Sequence, residues 1–207
     1  MKYSLPSGAD PDAELMLRLK HGEDLMLNEL MTRWQQPLVA FIYRYIGHQA
    51  DALDLAQETF VRVYQARARY TARAKFASWL FAIAANLCRN YMRRWARGAG
   101  TAMESLDPNS ADISQWIPSP DDSPDQSVIK SELIASVKEA IKKLPHDLKT
   151  AILLYQYEDL SYEEVSSVLG CSIKAVEMKL YRARKLLREL LSRADLRDQD
   201  ARVEERS

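Results

Sequence analysis

Long apolar runs are missing from this 207-residue chain. The longest, Trp79–Leu87, is broken by Asn86 and falls far short of the roughly 20 residues that a membrane helix needs. The opening MKYSLPSGADPD has no apolar signal core, so neither export nor membrane insertion is expected, and a soluble cytoplasmic protein is. Cysteine is scarce: Cys88 and Cys171 lie far apart in no CxxC or Cys/His pattern, which excludes a disulfide framework and a zinc site. The histidines His21, His48 and His146 are isolated, and P-loop, nucleophile-elbow and HExxH motifs are absent. No metal, cofactor or enzymatic activity is therefore expected. Sustained period-two alternation and hairpin dipeptides are lacking too, so no strand is required and the fold class is read as all-α.

Net charge is also missing, with 29 basic and 29 acidic residues, but the neutral total hides a strong pattern. Residues 1–61 carry −4, 62–97 carry +9 without one carboxylate, 98–127 carry −6, 128–197 carry +3 and 198–207 carry −2. Two positive blocks flanking an acidic one suit a modular binder of a polyanion. The acidic stretch GAGTAMESLDPNSADISQWIPSPDDSPDQS holds four prolines and six serines, and reads as a flexible linker over 98–127 with Trp116 its one large apolar residue. It separates helical domains over 10–97 and 128–193.

Helix punctuation is clear in the first domain. Asp10-Pro11 looks like an N-cap followed by proline at the first helical position, and Gly22 suits the stop. A second helix is expected from about Glu23 to Ile46, with Pro37 inside it and Gly47 ending it. A third begins near Ala50, with Leu53, Ala56, Phe60 and Val63 at helical spacing. A fourth holds KFASWLFAIAANLCRNYMRRWAR, where Phe76, Leu80, Ile83, Leu87 and Tyr91 recur at three- and four-residue steps. Trp79, beside them, is expected to pack in the core.

The second domain contains DLSYEEVSSVLGCSIKAVEMKLYRARKLLREL. Ser161 and Glu164 make a capping-box pattern, Gly170 suits a left-handed turn, and a longer basic helix starts near Ser172. That order is a helix-turn-helix. Val176, Leu180, Ala183 and Leu187 share its inner face, whereas Lys174, Met178, Tyr181 and Lys185 point outward, flanked by Arg182 and Arg188. An outward row of long donors is what a recognition helix needs; a plain bundle helix with a solvated basic face would read the same way.

The motifs DALDLAQETFVRVYQA, FASWLFAIAANLCRNYMRR, LPHDLKTAILLYQYEDLSYEEVSSVLGCS and VEMKLYRARKLLRE, in this order and spacing, resemble an extracytoplasmic-function (ECF), RpoE-like sigma factor of the sigma-70 family. The resemblance runs from about residue 12 to 193, the linker excepted. It implies that Asp54, Gln57, Glu58, Phe60 and Arg62 belong to a segment binding the RNA polymerase core. It implies that Arg69, Arg73, Lys75, Asn86, Arg89, Asn90 and Arg93 meet the promoter minus-10 element as it melts, Asn86 beside an extruded base. It further implies that Lys174, Glu177, Met178, Lys179, Tyr181, Arg182 and Lys185 read the minus-35 element. Expected partners are core polymerase, promoter DNA and an anti-sigma factor. Ala72-Arg73 and Glu177-Met178 depart from the family pattern, so the bases recognised cannot be carried over.

Bound phosphates would explain why carboxylates are kept out of 62–97. Alternatives stay open at this level. Glu58 and Arg62 are spaced for a solvent-exposed ion pair. A helix-turn-helix regulator binding duplex operators without polymerase would share the C-terminal pattern, but residues 10–97 lack the βα pattern of a sensory domain.

Overall fold

The computed structural model describes residues 10–99 and 134–204, with side chains described over 10–98 and 134–192. The linker reading and Trp116 fall almost wholly outside the described residues. Those described form helices without any strand, so the fold is all-α.

Four N-terminal helices come first: α1 (Pro11–Lys20), α2 (Met26–Ile46), α3 (Gln49–Ala66) and α4 (Phe76–Arg94). A turn of 3₁₀ helix, Arg67–Arg69, follows α3. Asp10 caps α1 as its spelling suggests, its carboxylate accepting from Asp12 N at 3.0 Å. Pro37 stands inside α2, where its missing N–H removes one intrahelical bond. The helix continues because Leu38, Val39, Phe41, Ile42 and Tyr45 bury its second half. Gly47 then ends it in the left-handed region at φ +80. The side chain of Lys142 crosses that glycine so closely that a Cβ would stand 2.5 Å from its Cε.

An aromatic core joins these helices. Trp34 meets Phe76 and Phe81 edge-on at 6.1 and 6.0 Å, and Phe41 meets Phe81 at 5.1 Å. Trp79 is part of it, 5.1 Å from the Tyr70 ring and 6.3 Å from Phe76.

The C-terminal helices are α5 (134–142), α6 (His146–Tyr157), α7 (Tyr162–Leu169) and α8 (Ile173–Glu204). The Ser161/Glu164 capping box forms in both directions, at 2.7 and 3.3 Å. Gly170 adopts φ +61, ψ +39, and Cys171 N closes the turn on Ser166 O. Val176, Leu180 and Ala183 are fully buried, as the period of α8 predicts. No proline or glycine follows Gly170, so α8 runs on to Glu204, past the domain end expected at 193.

The two halves pack together: α6 lies against α2 and α7 against α4, and one apolar core runs continuously from α1 to α8. This packing was not legible in the chain.

Candidate nucleic-acid and polymerase interface

The loop between Tyr70 and Phe76 is tied at both ends. Lys20 Nζ donates to Tyr70 O at 2.9 Å, and Phe76 N donates to the Asp10 carboxylate at 2.6 Å. The Tyr70 side chain is buried, and burial near Asp10 pushes its phenol up to about 12. Between these anchors Arg73 and Lys75 are exposed, with Arg69 just before them. A cationic loop held at fixed ends meets a phosphate chain with little ordering cost.

Next to the loop, α3 and α4 enclose a groove of about 540 Å³ lined by Glu58, Arg62, Gln65, Arg69, Ile83 and Asn86. Asn86 Oδ1 accepts from Arg89 at 2.8 Å, leaving the amide N–H₂ free of that bond. Asn90 and Arg93 are exposed farther along α4. The groove combines an apolar wall, two amides, two guanidiniums and the Glu58 carboxylate, which Arg62 compensates, a set that can hold a planar polar ring beside an anion.

That geometry unites residues assigned to two different tasks. Glu58 and Arg62, read as polymerase contacts, lie in the same groove as Arg69 and Asn86. They also form, at 2.7 Å, the i,i+4 ion pair that their spacing predicts. Asp54 and Gln57 are exposed on α3, with Val61 an exposed apolar neighbour that sequence reading did not single out. Phe60 is buried at 4 % exposure, so it can position this face but not touch a partner.

On α8, Lys174, Glu177, Met178, Tyr181, Arg182 and Lys185 are all exposed, the large apolar Met178 and Tyr181 included. Lys179 is different. Its ammonium turns back to Asp147 on α6 at 2.7 Å and holds that carboxyl below the usual range.

Sequence reading missed the groups between the halves. Lys149, on α6, is buried, and its ammonium donates to Lys142 O at 2.9 Å and approaches Tyr45 O at 3.5 Å, both near helix C-termini. It also lies over the Tyr45 ring, 4.8 Å from the centroid, and burial lowers its pKa. The Tyr45 hydroxyl bonds to His146 Nδ1. Arg44 pairs with Glu158 at 3.1 Å and covers Tyr157 at 4.6 Å. Burial raises the Glu158 carboxyl to about 7 despite the guanidinium. A lysine inside a helical period gives no sign, in one dimension, of which carbonyls it will reach.

Among the described residues no cluster of histidine, cysteine or carboxylates could hold a metal, and no helix is long and apolar enough to cross a membrane.

Known proteins share this architecture. The Sigma-70 region 2 family model matches residues 30–98, and the Sigma-70 region 4 model matches residues 134–187. The ECF RNA polymerase sigma-E factor of Haemophilus influenzae is 31% identical over 179 residues, covering 85% of this chain and 93% of that one. The RNA polymerase sigma-H factor of Pseudomonas aeruginosa is 29% identical over 184 residues, covering 88% and 94%. In fold, the chain is similar to CnrH solved in complex with the cytosolic domain of CnrY, with a TM-score of 0.62 at 24% identity over 88% of this chain and 98% of that one. It is also similar to the Bartonella quintana sigma factor RpoE solved with the anti-sigma factor NepR, at TM-score 0.57 and 23% identity over 80% and 96%. With both sigma regions in order and a relative this similar along most of its length, the chain belongs to the ECF RNA polymerase sigma factors, non-enzymatic transcription initiation proteins of the sigma-70 family.

Proposed function

We propose that this chain binds RNA polymerase core, brings it to specific promoters and opens the minus-10 region to start transcription. It acts in the cytoplasm and performs no covalent chemistry; binding energy drives strand opening while the polymerase supplies the active site. Region 2 covers 10–97 and region 4 covers 128–193, with the stretch 98–127 as the tether.

What supports this most is the α3/α4 groove beside an anchored cationic loop. Asn86 enters beside an extruded base, while Arg69, Arg73, Lys75, Arg89, Asn90 and Arg93 meet the strand that carries it. Asp54, Gln57 and Glu58 present a polar face to core, with Glu58 and Arg62 at the edge it shares with the groove. The exposed row on α8 docks in the minus-35 major groove, where Glu177 can accept from a cytosine amino group. An anti-sigma factor, like the NepR solved with the Bartonella protein, holds this chain inactive.

Run-off transcription with purified core tests the function. A stable complex with core and a discrete start site are expected. Operator-like duplex binding with no complex and no transcript would return the chain to the ordinary helix-turn-helix regulators.

A further inference from the structure

We propose that Lys179 contacts no base or phosphate, and instead fixes the roll of the recognition helix α8 through its ion pair with Asp147 on α6. The inference rests on the proposed minus-35 role of the exposed row on α8, and concerns what aims that row.

Helical geometry puts Lys179 on a border. At about 100 degrees per residue, it lies about 60 degrees from Val176 in the buried stripe and about 100 degrees from Met178 in the outward row. Its side chain is only 24% exposed, whereas Glu177 and Met178 on the same turn are exposed. The apolar stem therefore runs along the contact between α6 and α8 and delivers the ammonium to Asp147 Oδ2 at 2.7 Å, on the first turn of α6. The same ammonium holds that carboxyl below the usual range, and so keeps it charged.

A second strut stands on the other flank of the stripe. Arg184, about 80 degrees from Val176 in the opposite sense, lays its guanidinium over the Tyr155 ring near the end of α6, 5.5 Å from the centroid. Between the struts Val176, Leu180 and Ala183 are fully buried and apolar, and apolar burial is non-directional. The stripe holds α8 against α6; the struts set its roll. A roll of about 20 degrees carries a side-chain tip about 5 Å from the axis through about 2 Å, which is enough to break a hydrogen bond to a base edge.

Charge gives a strut and a phosphate contact opposite signs. If Lys179 gripped phosphate, Asp147 would compete for its ammonium, and removing that carboxylate would tighten binding. As a strut, Lys179 needs Asp147, and removing either member loosens the aim.

Holoenzyme formed with purified core tests this by competition between a promoter duplex and the same duplex with its minus-35 segment scrambled. Lys179→Met and Asp147→Asn should each lower the preference for the promoter duplex about threefold, and the double variant should lower it no further. Lys179→Arg, which can still pair with Asp147, should restore it. The salt dependence of promoter binding in Lys179→Met should keep its wild-type slope, because losing one phosphate contact would reduce that slope by about 1. An ion pair this exposed contributes little to stability, so these variants stay folded. Tighter promoter binding by Asp147→Asn overturns the strut. So does a slope reduced by about 1 in Lys179→Met, or a preference unchanged in both single variants. If wild-type holoenzyme shows no preference for the minus-35 segment, the reading role of α8 fails first, and the positioning role falls with it.

Discussion

The carboxylate of Asp10 caps two helices, accepting from Asp12 N at the start of α1 and from Phe76 N at the start of α4, 66 positions away. One short side chain thereby sets where the cationic loop ends.

Asp10→Ala should remove both bonds. At about 1 kcal/mol per cap, a loss of about 2 kcal/mol is expected in urea unfolding. Binding of the minus-10 strand should weaken as the loop end loosens, while association with core, carried by α3, stays as in wild type. Full stability in this variant would show that solvent replaces both bonds at no cost.

Asn86→Ala should impair promoter opening and leave core binding intact. Loss of one hydrogen bond to an extruded base is worth about 1–1.5 kcal/mol, or roughly tenfold in open complex. Permanganate reactivity of melted thymines measures it; wild-type reactivity would remove Asn86 from the opening step.

Glu58→Lys reverses a charge on the outer face of α3 and frees Arg62 from its pair. Association with core should weaken by about tenfold in competition with wild type. Equal competition would move the docking face elsewhere on α3.

The seam between the halves sets an unusual pH response. Burial, with Arg89 nearby, lowers the His146 pKa, so its contribution is present above the ordinary value of about 6.5 and lost as pH falls from there through the lowered folded value. Burial raises Glu158 to about 7, so its contribution is present in acid and lost as pH rises from its ordinary range to 7. The two oppose each other. Wild-type stability should therefore slope less below pH 6.5 than either group alone would make it. Glu158→Gln should expose the histidine limb, with stability falling toward acid. His146→Gln should leave the opposite slope. Parallel profiles in both variants would mean that neither group titrates at the seam.

Much of this protein was readable in one dimension, for a physical reason. Helix caps, turn glycines and apolar periods are local, so Asp10-Pro11, Gly47, the Ser161/Glu164 box and Gly170 mark element ends wherever the chain goes. The exclusion of acids from 62–97 is equally a property of sequence, visible in the composition of the stretch before any contact is known. Which groups meet across 50 or 100 residues is not local. The bond from Phe76 to Asp10, the turn of Lys179 toward Asp147 and the seam of Arg44, Lys75 and Lys149 depend on how finished helices pack. Helical spacing tells which side of a helix a residue occupies, but only packing decides what stands opposite.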